Sequence, residues 1–270
     1  MVQLQSLVER FEHLWPLSGA EEWDAPGLVT GSFQSEVRKV MLTLDVTSEV
    51  VDFAVQAGAD LLLAHHPYIM RGVKTISEQT AKGNVLAKAI RENLAIYAAH
   101  TNADIVEDGV SDILANALGL VNAVPLSDPA ASVGHGRIGS LSEAMSLGEF
   151  ATRVARVLPM TATGVRVAGD YNQVIERVAV CGGAGDSFLP IASAAGADVY
   201  LTADLRHHVV QDAREQALIS GGPAVIDVSH WASEFLWVES AAEQLRRIYP
   251  DLVFEVCDLR TDPWDFVVTQ

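Results

Sequence analysis

The segment from Lys39 to Leu63 has a counterpart 138 residues further on, from Arg177 to Leu201. Both read strand, turn, helix, Ala-Gly-Ala-Asp, strand, with Ala57-Gly58-Ala59-Asp60 in the first and Ala195-Gly196-Ala197-Asp198 in the second. In each, the glycine stands just past the helix, where a residue without Cβ adopts left-handed backbone with least strain. A strand–helix–strand unit constrains a chain strongly. Parallel strands need a crossover, and that crossover is nearly always right-handed. The likeness reflects either two ordinary units built by common rules or two related lobes. At this offset His65 corresponds to Ala203 and His66 to Asp204.

The rest of the chain continues the alternation. Strands are expected at 37–45, 61–65, 95–99, 137–140, 164–168, 177–181, 199–202, 224–228 and 252–257. Helices are expected at 48–56, 83–92, 108–118, 147–157, 188–194, 209–216 and 232–248. Leu4, Leu7, Val8, Phe11 and Leu14 share one face of a further helix at the start. The expected fold class is α/β, two related lobes with mixed sheets covered by helices and a metal site in the cleft between them. Asn122–Gly136, rich in Pro, Ser and Gly, reads as a linker, and Ser220–Pro223 as a second break. Residues 1–122 plus 221–270 are therefore expected to form a metal-binding lobe, with residues 123–220 inserted as the second lobe.

Composition narrows the function. A net charge of −17 disfavours contact with nucleic-acid backbone, so no nucleic-acid partner is expected. No apolar run approaches the length of a membrane span, and the first helix does not resemble a secretory signal, so no membrane is expected and the expected compartment is the cytoplasm. Cys181 and Cys257 lie far apart inside apolar runs, as buried thiols do.

Metal-type side chains collect at the ends of apolar runs. Leu61–Ala64 runs into His65-His66-Pro67, Ala95–Ala99 into His100 and Asp104, and Ala224–Val228 into His230 and Glu234. Imidazole and carboxylate hold Zn, Fe or Mn without thiolate. Three clusters exceed one closed site and suffice for two metals. Adjacent strand residues point to opposite faces, so His65 and His66 are expected to serve two neighbouring metals. Asp104 is the stronger ligand candidate of its cluster, and His100 either orients a ligand or binds a metal itself. His230 and Glu234, four apart, share one helix face, where the carboxylate can bridge two metals or the pair can simply cap the helix. Asp45 ends its own strand near the same crevice. Asp204 and His208, with His207, offer an acid–base group from the second lobe or a helix cap. Gly182-Gly183-Ala184-Gly185 follows a strand in the manner of a phosphate-cradling loop, although the spacing matches no nucleotide motif.

Together these stretches resemble the Nif-three-like family, whose members are often named GTP cyclohydrolase I type 2 homologs. The matching residues are LDVT at 44–47, AGADLLLAHHP at 57–67, HTNAD at 100–104, CGGAG at 181–185, TADLRHH at 202–208 and HWASE at 230–234. The resemblance implies a dinuclear centre of two divalent metal ions, Zn, Fe, Mn, Co or Ni, ligated by His65, His66, Asp104, His230 and Glu234. It implies a ring-shaped homohexamer with the metals facing an interior cavity. It also implies a metal-dependent hydrolase acting on a nucleotide or phosphorylated heterocycle; the alternative is a non-catalytic metal-binding scaffold or regulatory partner protein. The family's WDNVGL-like segment reads Trp23-Asp24-Ala25-Pro26-Gly27-Leu28 here.

Overall fold

The computed structural model describes residues 1–269. In chain order the elements are β1 (Val2–Gln3), α1 (Leu4–Leu14), β2 (Gly27–Thr30), β3 (Glu36–Val37), β4 (Lys39–Thr43), α2 (Ser48–Gln56), β5 (Leu61–Ala64), α3 (Ala81–Arg91), β6 (Ala95–Ala98) and α4 (Thr101–Asp104). There follow α5 (Val110–Ala117), β7 (Leu120–Pro125), β8 (Arg137–Ser146), α6 (Leu147–Val157), β9 (Arg166–Ala168), β10 (Val174–Ala184), α7 (Leu189–Ala194), β11 (Val199–Ala203), α8 (His207–Ser220), β12 (Ala224–Val228), α9 (His230–Ile248) and β13 (Val253–Val256). Contacts divide the chain into a first unit, Met1–Ala103 with Val238–Thr261, and a second, Asp104–Trp237 with Asp262–Gln270.

The first unit holds a five-stranded sheet in the order β13-β4-β5-β6-β2, in which only β2 runs antiparallel to its neighbour. Every residue of β5 and β6 is buried, as expected of parallel strands covered on both faces. Met41, Leu62 and Ile96 from the sheet pack with Val50, Val51 and Ala54 of α2 and Val85, Leu86 and Ala89 of α3. Helix α2 begins where Thr47 accepts a hydrogen bond from the Val50 N–H at 3.1 Å, satisfying one of the donors a helix start leaves open.

The second unit holds a six-stranded sheet in the order β7-β8-β10-β11-β12-β9. Its centre, β10-β11-β12, is parallel; β8 and β9 pair antiparallel to β10 and β12. Ala179, Tyr200 and Val225 pack with Leu189 and Ala192 of α7. Helix α6 starts with a reciprocal cap between Ser146 and Glu149.

The repeat is structural. Strand pairing of β4 with β5 sets Val40 opposite Leu61, and that of β10 with β11 sets Val178 opposite Val199. Asp60 Oδ2 accepts from the N–H groups of Arg38 and Lys39 at 2.7 and 3.0 Å; Asp198 Oδ2 accepts from those of Glu176 and Arg177 at 2.8 and 2.7 Å. Lys39 Nζ donates to Ala57 O, and Arg177 Nε donates to Ala195 O. Gly58 and Gly196 have φ of 70° and 73°. Beyond the repeat the likeness extends to β6 with antiparallel β2 and β12 with antiparallel β9.

The units do not divide at 123 and 221, where the sequence suggested boundaries. Asn122 lies inside β7, which pairs with β8, and the turn that follows is closed by Leu126 N–H to Gly136 O and Ser127 N–H to His135 O. The Pro- and Gly-rich stretch is thus a strand and a hairpin turn within the second unit. Strand β12 pairs with β11, so the break at Ser220–Pro223 is also internal to that unit. Turn residues mark both loops and linkers, and only strand pairing tells them apart.

Candidate metal centre

Strand β5 stops at Ala64, but its backbone pairing runs on, with His65 N–H donating to Thr43 O and His66 N–H to Leu44 O. His65 is fully buried and its Nδ1 meets Ala99 O at 2.8 Å. His66 Nδ1 meets Asp45 Oδ1 at 2.7 Å, and Thr261 Oγ1 donates to the other oxygen of that carboxylate. His100 follows β6 by two residues; its Nδ1 meets Asp24 Oδ1 at 2.8 Å, and Asp24 Oδ2 accepts from the N–H and hydroxyl of Thr101. Burial works to raise the Asp24 carboxyl, but the hydrogen bonds from His100 and Thr101 and the charge of His100 outweigh it and hold it at about 2.

The three rings converge. Their centroids lie 5.0 Å apart for His65 and His66, 5.2 Å for His65 and His100, and 5.4 Å for His66 and His100. One ring nitrogen from each lies within 4.8 Å of the others, close enough to hold a metal ion. Neighbours on a strand point to opposite faces, yet the His65 and His66 rings come close to each other just past Ala64, with Pro67 following directly.

In the second unit His230 opens α9, with Ser229 alone between it and β12. Its Nδ1 meets Asp204 Oδ2 at 2.8 Å and its Nε2 lies 3.3 Å from Glu234 Oε2. Burial opposes a charged ring, but Glu234 and Asp204 outweigh it and push His230 up to about 11. Asp204 reaches this position with a left-handed backbone, φ 57°, directly after β11. Glu234 is buried against Gly182 and Gly183 of β10; burial raises the Cys181 thiol, and the charges of Asp104 and Glu234 raise it further. His208 lies exposed in the first turn of α8, its ring 5.2 Å from that of His207.

The glycine-rich turn has a different use from the one its composition suggested. The Gly182 N–H donates to Ser111 Oγ and the Gly183 N–H to Ser233 Oγ, so these donors are already engaged within the unit. A Cβ on Gly183 would meet Glu234 Oε1, and φ there is 68°. The turn makes room for a carboxylate.

Sequence reading placed His65, His66, Asp104, His230 and Glu234 as metal ligands. The structure brings the first two together with His100 and sets the last two side by side. Asp24 was missed as a site residue. Its only signal was its place after Trp23 in the segment that resembles WDNVGL. Asp45 and Asp204 are found on imidazole Nδ1 atoms.

These features define a mixed α/β protein with imidazole and carboxylate donors at strand ends, able to hold a metal ion. The chain belongs to the Duf34/NIF3 (NGG1p interacting factor 3) family, whose description matches residues 2–263. A Streptomyces coelicolor relative named GTP cyclohydrolase 1 type 2 homolog is 44% identical, over 98% of this chain and 94% of its own length. A relative of the same name from Mycobacterium tuberculosis is 32% identical over 98% of this chain and 97% of its own. Among solved structures, a Bacillus cereus protein related to NIF3 superposes with a TM-score of 0.87 at 28% identity, over 98% of this chain and 99% of that one. Among the described residues, no helix is long and apolar enough to cross a membrane.

Proposed function

We propose that this protein binds two divalent metal ions per chain through His65, His66, Asp104, His230 and Glu234, and uses them to hydrolyse a nucleotide or other phosphorylated heterocycle. The observation that carries the metal reading is the convergence of His65, His66 and His100 to within 4.8 Å, with every Nδ1 anchored to a fixed acceptor. Metal-binding histidines are typically held in this way, which fixes ring orientation and tautomer. The donor set suits Zn, Fe, Mn, Co and Ni alike, and affinity alone does not choose among them. Bound ions would supply Lewis acidity toward a carbonyl or phosphoryl oxygen.

The chain's own groups have separable roles in this reading. Asp45 and Asp204 orient His66 and His230. Glu234 brings negative charge to the metals from a buried position. His208, exposed at the start of α8, is the candidate proton carrier toward a bound substrate. The hydrolase reading draws on the name carried by the relatives from Streptomyces and Mycobacterium. One observation favours the non-catalytic scaffold instead: the Gly182 and Gly183 N–H groups donate to serines, so this turn offers no phosphate cradle from them.

The test is metal analysis of freshly purified protein and of the Glu234→Gln variant, followed by a panel of nucleotides and phosphoesters assayed with and without chelator. Two ions per chain, loss of at least one in the variant, and chelator-sensitive turnover support the enzyme. Metal without turnover on any substrate supports the scaffold, and full metal retention in the variant removes Glu234 from the ligand set.

We also infer a homo-oligomer larger than a dimer, a hexamer on the family resemblance, residing in the cytoplasm, where the free thiols of Cys181 and Cys257 would stay reduced. Light scattering at low micromolar concentration tests the assembly; a 29.0 kDa species would overturn it.

A further inference from the structure

We propose that the second unit carries a binding pocket, apart from the metal centre, for an organic anion: a phosphate or carboxylate group on an apolar body. The pocket lies between helix α8 and the strands β9 and β12, with a volume of about 630 Å³. Small-molecule sites have this size. None of the proposed metal ligands lines it, so the inference does not depend on the metal reading.

The space exists because α8 covers its sheet loosely. No residue of this helix is buried, although Val209, Val210 and Ala213 pack against the core of the second unit. Strand β9, only three residues long, is the edge of the sheet beside it. Ala168 of β9, Val225 of β12, Leu205 and Val210 give the pocket apolar surface. A ligand with an apolar body displaces water from such surface, which favours binding.

The polar groups select the charge of that ligand. Asp227 is buried and already engaged: Oδ1 accepts from the Leu205 N–H at 3.0 Å, and Oδ2 accepts from Arg166, its cross-strand partner on β9. The carboxylate thus holds the Arg166 guanidinium at the pocket wall. A guanidinium has five N–H donors in a fixed fork, so donors remain for a ligand. His207, Gln211 and Arg214 of α8 line the same space, and among the described residues no hydrogen bond or ion pair engages their side chains. Glu215 also lines it, but adjacent residues of a helix do not face each other, so it does not neutralise Arg214. A chain with 35 Asp and Glu against 18 Lys and Arg therefore surrounds this one cavity with two arginines, an imidazole and an amide, and with a single unengaged carboxylate. Guanidinium forks match carboxylate and phosphate oxygens, and bonds of this kind are stronger than neutral ones.

The experiment is equilibrium dialysis of the full-length protein, with and without chelator, against 1-naphthyl phosphate, 1-naphthoate, neutral 1-naphthol and inorganic phosphate. The variants are Arg214→Glu and Glu215→Gln; both positions are exposed, and circular dichroism checks that both fold. The expected result is binding of at least one naphthyl anion at one site per chain, retained in chelator. Naphthol and inorganic phosphate should bind about 10-fold more weakly or worse, each lacking half of the contacts. Arg214→Glu should weaken anion binding by about 10-fold or more, and Glu215→Gln should tighten it. The better of the two anions tells whether the pocket takes a phosphate monoester or a carboxylate. Equal affinity in wild type and Arg214→Glu, naphthol bound as well as the anions, or no binding of either anion would overturn the proposal. Binding abolished by chelator would put the anion on the metals and overturn it as well, leaving the metal reading standing.

Discussion

A Cβ placed on Gly183 would lie 2.2 Å from Oε1 of Glu234 and 3.3 Å from Nε2 of His230. Backbone and carboxylate are therefore packed as closely as a residue without a side chain allows, and φ of 68° adds a second reason for glycine. Gly183→Ala should fold, because the group displaced is the end of a side chain. Moving Glu234 should weaken metal binding by about 10-fold or more, the scale of a disturbed ligand support. Chelator competition checks this; unchanged affinity would mean that Glu234 can relax without leaving its role.

Asp204 sits on His230 Nδ1 at 2.8 Å. Asp204→Asn should lower metal affinity by about 10–100-fold, as expected for a residue that orients a ligand. A variant that keeps full metal affinity but loses turnover would instead identify Asp204 as an acid–base group in its own right.

The paired aspartates of the repeat give a prediction about stability. Asp60 and Asp198, each just before its strand, accept two backbone N–H bonds from the adjoining strand segment, Arg38 and Lys39 in one case and Glu176 and Arg177 in the other. Asp60→Ala and Asp198→Ala should each cost about 1–2 kcal/mol, since both leave strand-edge donors without their acceptor. Urea unfolding measured on the two variants should give similar losses. A loss in one alone would show that the motif matters in only one unit.

Burial, with Asp104 and Glu234 adding to it, pushes the Cys181 thiol up to about 12. The unfolded thiol ionises near about 8.5. The unfolded state therefore releases this proton first, so stability from Cys181 is complete below that pH and is lost as pH rises toward 12. Metal-free Cys181→Ala should show a flatter decline in stability across that alkaline range. In the folded wild-type protein, Cys181 should not react with a thiol reagent at pH 8, and reaction before denaturant is added would contradict its burial.

Local chemistry made much of this fold readable. Helices α2 and α6 begin and end where the sequence places them, at Ser48–Gln56 and Leu147–Val157, because Thr47 and Ser146 cap them and apolar residues recur at helical spacing. The AGAD repeat and its glycine turns likewise follow from neighbours in sequence. So did the placing of His65, His66, His100, His230 and Glu234 after strands.

Only tertiary structure decided which of these groups meet. Asp24 and His100 are 76 residues apart, and nothing between them announces the contact. That the rings of His65, His66 and His100 converge depends on the pairing of β5 with β6, which sets the two strand ends side by side. That β7 is a strand depends on β8, since Asn122 and Pro125 alone read as a turn. Sheet edges, unit boundaries and the acceptor on each imidazole are set by pairing between distant segments, whose partners a local pattern of residues does not specify.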